Sequence, residues 1–279
     1  MHKRPVLLTA ATLLSAGLFF MGYRIWRVVH PDIKLVLENG IDHTYQGKYS
    51  SDPRYLELLK RAGSMRQEAL TVVQQHLNIA LGDRANWIVV RFVDLAEDKG
   101  QQTQVFGKGD FYRIAEIDVE SFLDADNNPE KVLRHELTHA AMEESMRWRY
   151  RSLPRWLTEG IAVWVAGQVD DKTAVYVEWA LSEGKNPMGL LNGLEAKPHK
   201  PEDYVEDGLF FRYLEGTFGI ETIQRIIYRI MSREPYRQVF EQELHMGWAE
   251  IQQRGRDYAL EAIEQFRHRE TEGASQSSK

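Results

Sequence analysis

The sequence predicts an α+β protein, mostly helical, with a small β-sheet placed before its central helix. Three observations predict it. Two short segments carry strand signatures: "WIVVRFVD" (87–94) is rich in β-branched and aromatic residues, and in "FYRIAEIDVE" (111–120) Ala115, Ile117 and Val119 alternate with Glu116 and Asp118. Ahead of them, from Pro53 to about Ile79, Tyr55, Leu58, Leu59, Ala62, Met65, Ala69, Val72, Val73 and His76 recur at helical spacing. Beyond residue 128 the period is helical to near the end.

The elements follow in order. "MHKR" precedes an apolar run from Pro5 to Tyr23, and "RIWR" follows it. The run approaches the roughly 20 residues a helix needs to cross a bilayer. Small residues Ser15, Ala16 and Gly17 lie inside it and are followed by Leu18, Phe19 and Phe20, a poor cleavage context. Residues 1–30 therefore read as an uncleaved signal anchor, a transmembrane helix with Tyr23 and Trp26 at the interface. The expected place is a bacterial-type inner membrane, with the body on the periplasmic side; secretion after signal cleavage is the alternative. Residues 31–52, with the turn-rich "GIDHTYQGKYSSDP", read as a linker. The Gly-rich "VFGKGD" between the two strands reads as a hairpin or loop. Asn128 and Pro129 mark a helix start, and Pro154 and Gly167 bracket a second helix. Further helices are expected at about 171–183, 203–217, 219–232 and 246–268, then a disordered tail, 271–279. The last helix places Trp248, Ile251, Tyr258, Ala262 and Phe266 on one face, as core or as a lid.

Composition narrows the function classes. The formal net charge is −6, and the first thirty residues hold Lys3, Arg4, Arg24 and Arg27 with no acid, which leaves −10 on the rest. An acidic body without a basic stripe argues against a nucleic-acid partner. With no cysteine, disulfides, thiolate metal sites and Cys nucleophiles are excluded.

The chemistry centres on "RHELTHAAMEE", 134–144. On a helix, residues i and i+4 share a face, so His135 and His139 aim two imidazoles at one ion. Glu136 lies about 100° further round, near enough to reach a water without binding the metal. A catalytic zinc takes three protein ligands and keeps one position open. The candidates for the third are Glu143, Glu144, Glu159, His199 and His245. Glu143, one turn beyond His139, would fall in line with the two histidines and suits an acceptor for a His N–H better. Glu159 lies on the next helix among Trp156, Leu157, Ile161, Ala162 and Trp164, where a carboxylate is costly unless paired or metal-bound.

"HELTH" followed by "LPRWLTEGIAVWVAG" resembles the gluzincin metallopeptidases, in particular the peptidase MA-like group, over roughly 85–220. That resemblance implies a zincin-like domain over 53–270, one zinc ion on His135, His139 and Glu159, and Glu136 as general base. The spacing departs by one residue from that of the large aminopeptidases. "DYVEDGLFFRYLEGTFG" (203–219) is similar to the group's following helix. In such folds a strand beside the zinc helix binds extended substrate, and "FYRIAEIDVE" is the natural candidate. Tyr204 is the first choice for the oxyanion donor, with Tyr176, Tyr213 and His199 as alternatives. Gly160 permits close helix approach, and Trp156 reads as core.

The reading is thus a membrane-anchored zinc metalloprotease acting on peptides or unfolded protein segments. A catalytically silent zincin-fold scaffold, or a zinc hydrolase of a non-peptide cell-wall amide, are the alternatives.

Overall fold

The period-2 patterning between residues 88 and 118 builds the sheet on which the helices rest. A computed structural model of the chain describes residues 37–43, 45–94, 103–108, 112–123, 128–195 and 203–277. The expected membrane span at 1–30 lies outside them. No helix among the described residues is long and apolar enough to cross a membrane.

Five strands form one sheet: β1 (Leu37–Glu38), β2 (Ile41–Asp42), β3 (Ile88–Val93), β4 (Thr103–Lys108) and β5 (Tyr112–Asp118). Their order is β1-β2-β3-β5-β4. The inner three run parallel, and β1 and β4 pair antiparallel at the two edges. Two expectations change here. Residues 37–42 belong to the sheet, not to a linker. Asn39 and Gly40, both at positive φ, turn β1 back on β2, and Ile41 is buried. Much of "VFGKGD" is also strand: β4 includes Val105 to Lys108 and takes the outer place beside β5. Local glycine content suggested a turn; pairing to β5 along its whole length overrode it.

Nine helices are described: α1 (Pro53–Leu77), α2 (Val119–Leu123), α3 (Pro129–Met146), α4 (Arg155–Val165), α5 (Val169–Ser182), α6 (Tyr204–Phe218), α7 (Ile220–Met231), α8 (Tyr236–Leu244) and α9 (Trp248–Ser277). Short 3₁₀ turns occupy Gly82–Trp87, Arg147–Ser152 and Pro187–Leu190. The separate α8 was not expected. It buries only Val239, Phe240 and Leu244, too short a stretch for a clear period. Through 271–277, where a disordered tail was expected, α9 continues as helix; no proline interrupts that stretch.

The main core forms where α1 and α3 meet the sheet. Ile88, Val90 and Phe92 alternate onto one face of β3 and share a cluster with Met65 and Val73 of α1 and Leu137 of α3. Behind α3, α4 crosses α6 at two glycines. A Cβ on Gly160 would come within 2.8 Å of the Asp207 carbonyl oxygen, and one on Gly208 within 2.6 Å of Val163 Cγ1. This close crossing fixes α4 against the rest and thereby fixes Glu159. Trp156 is core: it is buried among Phe210, Tyr236, Phe240 and Trp248. In α9, Ile251, Ala259 and Ile263 are fully buried, so this helix is also core.

Candidate metal centre

Two helix starts and one glycine turn set the site. Asn128 caps α3 by accepting from the Glu130 and Lys131 amides at 3.0 and 3.3 Å. Along α3, His135, Glu136 and His139 are all buried. Burying so many polar groups on one helix is expensive unless they are satisfied by one another or by a ligand. Pro154 opens α4, whose second turn delivers Glu159 toward α3.

The three side chains converge on a triangle. His135 Nε2 and His139 Nε2 are 3.2 Å apart, and Glu159 Oε2 is 3.4 Å from each. Zinc–nitrogen and zinc–oxygen bonds of about 2.0–2.2 Å at tetrahedral angles put ligand atoms roughly 3.3 Å apart. The donor set therefore has the size, as well as the chemical type, that fits a zinc ion. It is the cluster among the described residues that can hold a metal ion. His245 ends α8 in left-handed backbone and is not part of it; His199 lies outside the described residues.

Each imidazole is held through its other nitrogen. His135 Nδ1 donates to Gln168 Oε1 at 3.0 Å. Gly167, at φ 66°, ends α4 in a left-handed turn, with its amide on the Trp164 carbonyl and the Gln168 amide on that of Val163. That turn brings Gln168 back over α3. His139 Nδ1 is hydrogen-bonded to the Tyr150 hydroxyl at 2.6 Å. Tyr150 sits in the 3₁₀ turn that follows α3, so the connection between the two motif helices also locks the second ligand. Neither ring N–H goes to Glu143, contrary to expectation. Glu143 turns to two guanidinium groups, 4.0 Å from Arg113 and 3.9 Å from Arg151. Two long cations competing for one carboxylate explain the change.

Glu136 stands beside the triangle without joining it, its Oε1 4.0 Å from His135 Nε2. Tyr204, the first residue of α6, is linked to Glu159 through Arg155. Its hydroxyl accepts from Arg155 Nη2, and Arg155 Nε lies 3.5 Å from Glu159 Oε1. Arg155 thus ties the tyrosine to the third ligand, one helical turn away. Burial and the Glu159 charge both push the Tyr204 phenol well above its ordinary range, so it stays protonated. The other tyrosines are spent elsewhere. Tyr176 donates to the Pro187 carbonyl at 2.8 Å, and Tyr213 packs against Phe210, Phe218 and Tyr258.

The electrostatics match a cation site. Burial alone would raise the Glu159 carboxyl, but His139 and His135 outweigh it and hold it far below the ordinary carboxylate range. Burial would lower His139, and Glu159 raises it instead. The strand expected to take substrate is corrected. β5 is paired on both sides, to β3 and β4, so its backbone has no edge for a peptide; the edge belongs to β4. Sequence reading missed Tyr150, Gln168 and Arg155. Only Arg155 left a local signal, its i,i+4 spacing from Glu159.

No family model matches the chain, and no curated protein matches it. Among solved structures, it is similar to the crystal structure of the M1 zinc metallopeptidase from Deinococcus radiodurans, at 13% identity and a TM-score of 0.39. The match covers 78% of this chain and 47% of that one. A likeness at that level carries no weight for fold or activity, and the site stands on its own geometry.

Proposed function

We propose that the chain is a zinc-dependent metallopeptidase that hydrolyses peptide bonds in peptides or unfolded protein segments. One observation carries the reading: two imidazole nitrogens and a carboxylate oxygen form a triangle with edges of 3.2, 3.4 and 3.4 Å, with a second carboxylate, Glu136, just outside it. His135, His139 and Glu159 would hold the ion. The chemistry it would supply is a water made acidic at neutral pH and a polarised scissile carbonyl. Glu136 takes the proton of the attacking water and returns it to the leaving amine. Tyr204 would donate a hydrogen bond from its phenol to the oxyanion that develops on the former carbonyl oxygen. Arg155 is a positioning residue, since it grips both the tyrosine oxygen and Glu159. The edge of β4 receives extended substrate by strand addition. The apolar run at 5–23 supports anchoring in a bacterial-type inner membrane with the body on the periplasmic side.

The test measures metal content and cleavage of casein and a peptide library by the full-length chain in detergent, wild type beside Glu136→Ala. One zinc per chain in both, with cleavage lost only in the variant, is the expected result. Zinc in both with cleavage in neither would shift the reading to a silent scaffold or to a non-peptide amide. Absence of bound metal in the wild type would overturn it.

A further inference from the structure

One cation beside the donor triangle has no counter-ion of its own among the described residues. α5 opens with Val169, Asp170, Asp171 and Lys172. Both acids serve other cations: Asp171 pairs with Lys131 at 2.5 Å, and Asp170 Oδ2 accepts from Arg212 Nη2 at 2.9 Å. Arg155 is committed to Glu159 and to Tyr204. Lys172 takes part in no ion pair among the described residues. Its Nζ stands 5.9 Å from the centre of the Tyr204 ring, on which the Arg155 guanidinium also lies, at 5.5 Å. The side chain is half-buried, yet close enough to Glu159, Glu136 and its neighbour Asp171 to feel their charges. Burial pulls its ammonium below the ordinary lysine range, and the three carboxylates counter that only in part.

Charge balance says what such a group is for. Glu136 and Glu159 offset Arg155 and Lys172, so a divalent ion in the triangle leaves an excess of positive charge. A partly desolvated ammonium next to that excess favours an anionic group on the substrate, and the low local dielectric strengthens the attraction.

We propose that Lys172 is a specificity-determining residue that receives a carboxylate of the substrate beside the scissile bond, from an Asp or Glu side chain or from the chain end. This rests on the peptidase reading and names the substrate class of that site.

The experiment compares matched quenched-fluorescence peptides on the zinc-loaded full-length chain. One set exchanges Glu for Gln on either side of the scissile bond; the other exchanges a free C-terminal acid for its amide. In parallel, calorimetry measures binding of the same pairs to the metal-free protein. The wild type is expected to prefer the acid member of one pair at least tenfold in kcat/KM. A Glu-over-Gln preference identifies a side chain as the source, and an acid-over-amide preference identifies the chain end. In Lys172→Met the ratio should fall to near one, and in Lys172→Arg it should persist. A wild-type ratio near one, or a ratio that survives Lys172→Met, overturns the proposal. If no peptide is cleaved but the acid member binds more tightly and only while Lys172 is present, the peptidase reading fails and the carboxylate site stands. Equal binding of both members, with no cleavage, removes both.

Discussion

Replacing Tyr150 with phenylalanine removes one atom, the oxygen 2.6 Å from His139 Nδ1. The ring itself packs against the core, so the substitution preserves shape. The consequence turns on which partner donates. His139 Nε2 is the nitrogen aimed into the donor triangle, so a metal there requires the ring proton on Nδ1, where the Tyr150 oxygen can accept it. That arrangement fixes the tautomer that leaves His139 Nε2 bare for a metal. The Tyr150→Phe substitution would strand a buried N–H, at a cost of about 1–3 kcal/mol. Loss of such an outer partner lowers metal affinity by about 10–100-fold. The two figures agree, since tenfold is about 1.4 kcal/mol. The assay is zinc competition against a chromophoric chelator near neutral pH, for wild type and Tyr150→Phe, with denaturant unfolding of both metal-free forms. Affinity should fall by at least tenfold. If it is unchanged or improved, the Tyr150 oxygen does not hold the His139 Nδ1–H, and a ligand preset by this contact is refuted.

Other outcomes follow from the same geometry. Glu136→Gln should keep zinc within a few-fold of wild type while cleavage drops about 10²–10⁴-fold, because the side chain sits outside the donor triangle; single-turnover kinetics on metal-loaded protein checks it. Gly160→Ala should destabilise by about 1–3 kcal/mol, since its Cβ would press on the Asp207 carbonyl at 2.8 Å and the Phe211 ring at 2.9 Å; denaturant midpoints at constant slope would measure this. Trp156→Ala should cost about 3–5 kcal/mol, given its burial among four aromatic rings, and the same unfolding measurement reads it. Stripping zinc should lower the apparent unfolding free energy by about 2.7 kcal/mol when free zinc had been 100 times its Kd; a zinc-independent thermal midpoint would contradict a site built in the folded state.

The sequence reading reached the parts of the site that local pattern encodes. His135, Glu136 and His139 share one helix, and i,i+4 geometry needs no tertiary information. Glu159 was legible for another reason: a carboxylate inside "RWLTEGIAVWV" violates the apolar pattern of its own helix. Parts that depend on how the chain returns were not legible. Gln168 reaches His135 only because Gly167 turns left-handed there, and Tyr150 reaches His139 from a 3₁₀ turn with no periodic signature. The sheet shows the same limit. β3 and β5 were recognised as strands, but β4 lies between them in sequence and outside them in space. Alternation along a strand cannot reveal which neighbour it takes, so β5, expected to offer a free edge, is instead paired on both sides.

The donor triangle also answers whether this arrangement could exist for the fold alone. Three donor atoms that approach within 3.4 Å in a buried setting repel unless something positive lies between them. In the bare protein a proton does that work: Glu159 is held ionised far below its usual range, and His139 is raised against the pull of burial. A few kcal/mol of desolvation would disappear if the site were filled with leucine-sized side chains, and the surrounding core already provides the packing for them. The chain instead keeps two imidazoles, two carboxylates and two flanking cations in one place, with Gln168 and Tyr150 holding the imidazoles from outside their own helix. Local rules are broken together at a single point, where an ion of charge two would reconcile them, and such a concentration of cost marks function more than stability.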